Sequence, residues 1–291
     1  MFSGLNTTSC RLRRTHYYNS RGIPRLIYEL LSSTLRREDR RVSSLRRILF
    51  RELIITLVFI TVAAPIGQPA ALGQAPAATN HPSFEILRHR MDVDVDGAPT
   101  AYGPKGKPTL DYLSNAHLQG RPNAPIVGYL LGDDNPRKPV LQGPRDPAPG
   151  YYISQTAYTD KSRPNARDVL RYVDATRINY VVLGHQAKKR GVKLGDFVAV
   201  YSQRTHKSVF AIVADDGNPS GDEGSLHLLQ DLGYPFHDGK NDAVEESEII
   251  VRFYPGSNPG ELFFRTQAAL NEAAAKIGLS RDFPGITASK H

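Results

Sequence analysis

The chain has 291 residues, of which 37 are Lys or Arg and 29 Asp or Glu, for a net charge of +8. Residues 1–78 carry all of that excess in twelve arginines against Glu29, Glu38, Asp39 and Glu52, and 79–291 balance 25 basic with 25 acidic residues. A neutral body argues against nucleic acid as a partner, which needs clustered phosphate neutralisation. The one cysteine, Cys10, lies in the basic leader, so no disulfide, thiolate metal site or cysteine nucleophile is expected beyond it.

In chain order, the first feature is the apolar run Leu53–Ala64, which follows Arg51 and Glu52. It is shorter than the roughly 20 residues of a membrane span and reads as the core of an export signal, with Ala70, Ala71, Ala75, Ala77 and Ala78 after it. The basic stretch before it is longer than a signal requires. Either translation starts downstream of Met1, or the segment persists as an N-terminal anchor. Residues 1–78 are therefore read as leader and linker, and 79–291 as one secreted domain, extracellular or periplasmic. Membrane contact is expected only through an uncleaved leader.

Residues 97–150 are punctuated by Pro and Gly, which favours short strands and loops. Tyr151–Thr156, Tyr180–Leu183, Phe197–Tyr201, Ser208–Val213 and Ile249–Phe253 are β-branched and aromatic, as strands are. A helix is predicted over Ser225–Leu232, opened by a capping serine and stopped by Gly233. A C-terminal helix is predicted over 260–277, with Leu262, Phe263, Ala269 and Leu270 on its apolar stripe. The fold class is mainly β (α+β).

The chemistry concentrates where the apolar strand 208–213 runs into Asp215 and Asp216, with Glu223 eight residues beyond Asp215 and just before the predicted helix. A rigid strand that stops in carboxylates commonly forms the rim of a site, and a loop of this length can bring Glu223 to face Asp215 across a cleft. Glycoside hydrolysis needs such a pair, one carboxyl to protonate the leaving oxygen and one to activate water or attack the sugar. Solvated loop acids or helix-capping charges are the competing reading. Asp92, Asp94, Asp96 and Gly97 imitate the start of a calcium loop, but its twelfth position falls on Gly103 rather than Glu. A β-turn through Asp96 and Gly97, or carboxylates lining a substrate groove, is the better reading. His185, His206, His227 and His237 show no ligand spacing, so neither metal nor cofactor is expected. Tryptophan is absent, and Tyr102, Tyr112, Tyr129, Tyr151, Tyr152 and Tyr158 are left as sugar platforms.

Read together, ordered pieces of the chain resemble the glycoside hydrolase family 75 chitosanases. They are Val95–Pro99 with Ala101–Pro104, Leu110–Leu113, Asp146–Ser154, Arg171–Ala175, Tyr180–Leu183, Gly191–Asp196, Ala214–Gly217, Glu223–Ser225 and Phe253–Ser257. The resemblance implies hydrolysis of β-1,4-glucosamine links in chitosan, endo-acting and inverting, with Asp215 and Glu223 as the essential carboxylates. Glu223 is preferred as acid and Asp215 as base. In an inverting enzyme the two stand roughly 6.5–9.5 Å apart. This chain departs from the family at Gly217-Asn218-Pro219 and at Asp222, which stands where the family has Gly. Because chitosan is polycationic, Asp94, Asp96, Asp174 and Asp222, with Tyr151 and Tyr152, are the substrate-binding candidates. The order of turn, strand, hairpin, strand, acidic loop and short helix is similar to a double-psi β-barrel, with short helices and a C-terminal helix around it. A monomer is expected. The rival readings are a peptidoglycan-acting lytic enzyme with one essential acid and a non-catalytic exported glycan-binding protein.

Overall fold

The computed structural model describes residues 81–285, so the readings of the leader lie outside the described residues. Four of the five expected strands form: β3 (Tyr180–Val182), β4 (Phe197–Ser202), β5 (Ser208–Asp215) and β8 (Ile249–Phe253). Four more are too short or too polar for periodicity to reveal: β1 (Phe84–Arg88), β2 (Met91–Asp94), β6 (Glu223–Ser225) and β7 (Ala243–Val244). All eight join one mixed sheet in the order β1-β8-β4-β5-β3-β6-β2-β7. β3 runs parallel to β5, and β2 to β6; the remaining pairs are antiparallel.

Chain connectivity forces this sheet to curl. β1 and β2 lie six strand positions apart in the sheet order, which along a flat sheet would be about 29 Å. Only His89 and Arg90 connect them, and three peptide steps reach about 11 Å at most. The sheet therefore bends back on itself into a half-barrel. Its interior is filled from both ends of the order, with Met91, Tyr180, Phe197, Ile212, Leu228 and Phe253 fully buried.

Among the described residues, three short α-helices accompany the sheet. α1 (His185–Lys189) follows β3, a segment where no helix was expected. α2 (Leu226–Asp231) begins as expected at Ser225, whose Oγ accepts the Leu228 N–H at 3.1 Å, and it ends before Gly233 at φ +95°. α3 spans Gln267–Lys276, shorter than the predicted 260–277. Its start is set by Thr266, which caps Ala269. Upstream, the Asn258 side chain accepts the Leu262 N–H at 2.9 Å and Glu261 takes φ +49°, so 258–262 is held in a turn and Leu262 is exposed. Among the described residues, no helix is long and apolar enough to cross a membrane.

Tyr151–Thr156 is the one expected strand that does not form. It is extended but makes only single-residue bridges, Tyr152 with Leu141 on one side and Ser154 with Tyr129 on the other. Pro139 interrupts the neighbouring segment, and a proline cannot donate to a ladder. This irregular stretch packs on its own small core of Val140, Ile153, Val169 and Tyr172.

Candidate active site

Strand register brings the two predicted carboxylates together. Val182 of β3 pairs with Asp215, the last residue of β5. On its other side β3 pairs with β6 through Val181 and Gly224, so Glu223 falls opposite the same Val182. Residues level across adjacent strands project from the same face. Asp215 and Glu223 thus flank one residue of a central strand. β2 lies beside β6, with Asp92 level with Glu223 and Asp94 level with Ser225. Asp96 follows in the predicted turn. There Gly97 holds φ +77°, and a Cβ would lie 1.9 Å from the Val173 carbonyl oxygen, so only glycine fits.

These groups line a cavity of about 540 Å³. Its wall carries eight carboxylates, those of Asp92, Asp94, Asp96, Asp111, Asp215, Asp216, Glu223 and Asp242, against two cations, Arg90 and Lys240. Both cations are engaged, Arg90 with Asp92 and Glu245 and Lys240 with Asp238. The cavity therefore favours a cationic or proton-donating guest.

Asp215 is 8% exposed, and its Oδ1 accepts the N–H groups of Ala157 and Asp216, each at 2.9 Å. Those two bonds fix the plane of the carboxyl. Asp94 Oδ1 accepts the Asp96 N–H, and Asp96 Oδ1 accepts the Tyr102 hydroxyl, both at 2.8 Å. Burial is the first cause that raises every one of these acids. It takes Asp94 up to about 6 and Asp111 to about 7. Burial followed by the Asp94 charge pushes Glu223 up to about 8, and lifts Asp96 and Asp215 well above the usual carboxylate range. Like charges this close cannot all ionise. The free site therefore holds protons at neutral pH, which is the condition a general acid needs.

Asp94, Asp96 and Asp215 each offer an oxygen within 4.8 Å of the others. Three hard oxygens are also what Ca²⁺ or Mg²⁺ would accept from a protein. The sequence pattern 92–97 thus supplies two members of a carboxylate cluster, although it is no calcium loop.

Of the residues singled out in the sequence, Asp94, Asp96, Asp215 and Glu223 come together at the cavity. Tyr151, Tyr152, Asp174 and Asp222 are not in its wall. Tyr151 donates to the Pro108 carbonyl, and Tyr152 packs on Tyr129 at 5.2 Å between ring centroids. The Asp174 carboxylate is occupied within its own turn by the N–H and hydroxyl of Thr176. Asp222 lies 3.5 Å from the guanidinium of Arg88. Asp216, at the cavity rim, pairs with Lys188 at 3.3 Å. Sequence reasoning passed over Tyr180, Asp111 and Asn218. The Tyr180 hydroxyl donates to the Asp96 carbonyl at 3.0 Å, and Asn218, in the cavity wall, accepts the N–H and hydroxyl of Ser220. Only Asn218 carried a signal, since it interrupts the Gly-Pro expected at 217–219.

No family model and no curated protein matches the chain.

Proposed function

We propose that the protein is an exported glycoside hydrolase that cleaves β-1,4-glucosamine links in chitosan with Asp215 and Glu223, without a cofactor. The observation that carries this reading is the position of these two carboxylates on either side of Val182 in one acid-walled cavity. The two face one cavity across the single strand β3, which supports a pair with room for an intervening water, as inversion requires. The curled sheet with its two parallel pairs supports assigning the finer architecture to a double-psi β-barrel.

In this mechanism Glu223, protonated below about pH 8, gives its proton to the glycosidic oxygen as the C1–O bond breaks. A water attacks C1 from the opposite face and passes its proton to the Asp215 carboxylate. In the free cavity burial and the Asp94 charge disfavour the Asp215 carboxylate, and any proton it carries must leave to solvent before it can act as base. A glucosamine ammonium beside Asp94 and Asp96 supplies the opposite charge that favours ionisation. Binding of the cationic sugar therefore prepares the base. The excess of carboxylates over cations in the wall supports a polycationic substrate over neutral or acidic glycans.

The test is product analysis by NMR on defined glucosamine oligomers, with protein starting near Thr79. The reading expects reducing ends of inverted anomeric configuration, and losses of about 10²–10⁴-fold in both Asp215→Asn and Glu223→Gln. Full activity in Asp215→Asn with loss in Glu223→Gln would instead favour a lytic reaction run by one acid. Binding of chitosan without any released reducing end would leave a glycan-binding protein.

A further inference from the structure

The loop between the two carboxylates has an anchor of its own. Arg88, the last residue of β1, is 2% exposed. Its Nη1 donates to the Ser220 carbonyl at 2.8 Å and lies 3.5 Å from Asp222 Oδ1. Its Nε and Nη2 are buried and have no hydrogen-bond partner among the described residues. The guanidinium stands 5.6 Å from the centre of the Phe253 ring. Burying a cation with two unpaired nitrogens is costly, and replacing a buried ion pair by apolar side chains of similar volume is often neutral or stabilising. Such a group calls for a reason outside stability.

The reason lies in what Arg88 holds. Ser220 and Asp222 belong to the stretch 216–222 that joins Asp215 to Glu223. Around it the backbone is close-packed. A Cβ on Gly184 would sit 2.4 Å from the Ser220 oxygen, the His185 N–H bonds the Pro219 carbonyl, and the Asp92 N–H bonds the Asp222 carbonyl at 2.9 Å. Arg88 adds a buried charged contact immediately before Glu223, where the Lys188–Asp216 pair at the other end of the loop is exposed. We propose that Arg88 is a positioning residue: with Asp222 as its counter-ion, it clamps the loop 216–222 and so sets where Glu223 and Asn218 stand against Asp215. Asp222 then has a defined task, as the partner of a buried arginine rather than as a contact to sugar. The proposal rests on the hydrolase reading for its kinetic consequence but not for the clamp.

The experiment compares Arg88→Met, Arg88→Lys and Asp222→Asn in the full chain. Hydrolysis of a glucosamine oligomer is measured well below each variant's unfolding midpoint, and amide hydrogen exchange is followed over 216–223. Arg88→Met is expected to lose about 10²-fold in kcat with KM nearly unchanged, as small misplacements of catalytic groups do. Arg88→Lys should recover part of that loss, and exchange in 216–223 should quicken while β4, β5 and β8 keep their protection. A folded Arg88→Met with wild-type kcat overturns the proposal, as does a loss that appears wholly in KM. If Arg88→Met does not fold, Asp222→Asn decides. Lower kcat with faster loop exchange supports the clamp, and no change in either overturns it. If the wild-type protein releases no sugar, the hydrolase reading fails by itself. Loop exchange in the same variants still tells whether Arg88 holds the loop.

Discussion

Asp94→Asn probes the electrostatics of the cavity most directly, because the Asp94 charge is the leading charge acting on both Asp215 and Glu223. In the folded protein Asp94 ionises near 6, against 3.8 for an ordinary aspartate, because burial disfavours its charge. A folded-state value above the unfolded one means that the contribution to stability is whole at low pH and declines as pH rises through both values. Each pH unit of that gap is worth about 1.4 kcal/mol, so by pH 8 the ionised Asp94 costs about 3 kcal/mol. Asparagine removes the charge while keeping the oxygen that accepts the Asp96 N–H at 2.8 Å. The substitution should therefore stabilise the protein by about 3 kcal/mol at pH 8, or roughly 6–12 °C in Tm for a body of this size. At pH 4 the gain should shrink below about 1 kcal/mol. Thermal unfolding of both proteins at the two pH values checks this. A gain that does not grow with pH, or a loss at pH 8, would refute the account of a crowded acidic cavity. In the same variant Glu223 should ionise below its present value of about 8, visible as a carboxyl ¹³C shift in NMR titration.

Other consequences follow from the same packing. Because Asp94, Asp111 and Glu223 all ionise above their ordinary values, the wild-type protein should lose stability as pH climbs from about 4 to about 8, the window between the ordinary values of 3.8 and 4.5 and the folded ones near 6, 7 and 8; denaturant midpoints across that range test it. Ser225→Ala removes one fully buried hydroxyl that serves the Tyr180 N–H, the Ile178 carbonyl and the Leu228 N–H. It should cost about 2–4 kcal/mol in a urea titration, and a loss under about 0.5 kcal/mol would argue against this network. Gly184→Ala would drive a Cβ into the Ser220 carbonyl; the backbone of the loop must move, so turnover should fall even where the variant stays folded, measurable on the same oligomers. Asp216→Asn should leave the unfolding free energy in a urea titration within about 0.5 kcal/mol of wild type, since its pair with Lys188 is exposed.

Asp215 and Glu223 were legible in the sequence because an apolar run that stops in carboxylates is a local pattern. Ser225 was legible as a cap for the same reason, and α2 begins where it was expected. The missed pieces have no local signal. β6 is three residues, Glu-Gly-Ser, and it is a strand only because β3 and β2 lie on either side of it. β1 and β2 were hidden because their ladders are made with β8 and β6, more than a hundred residues away. The 260–277 helix was read too long because its stripe ignored the Asn258 turn, which only the folded chain reveals.

What the sequence by itself determined is thus the mainly β body, the charge balance of 79–291 and the identity of the acids that end its buried strand. The tertiary structure decided which acids share a cavity. It drew Asp94 and Asp96 beside Asp215 and Glu223, and gave Asp216 and Asp222 to Lys188 and Arg88. The physical reason is range. Propensity and capping act within a few residues, whereas the protonation of a carboxyl depends on burial and on charges that the chain brings together only when the sheet curls.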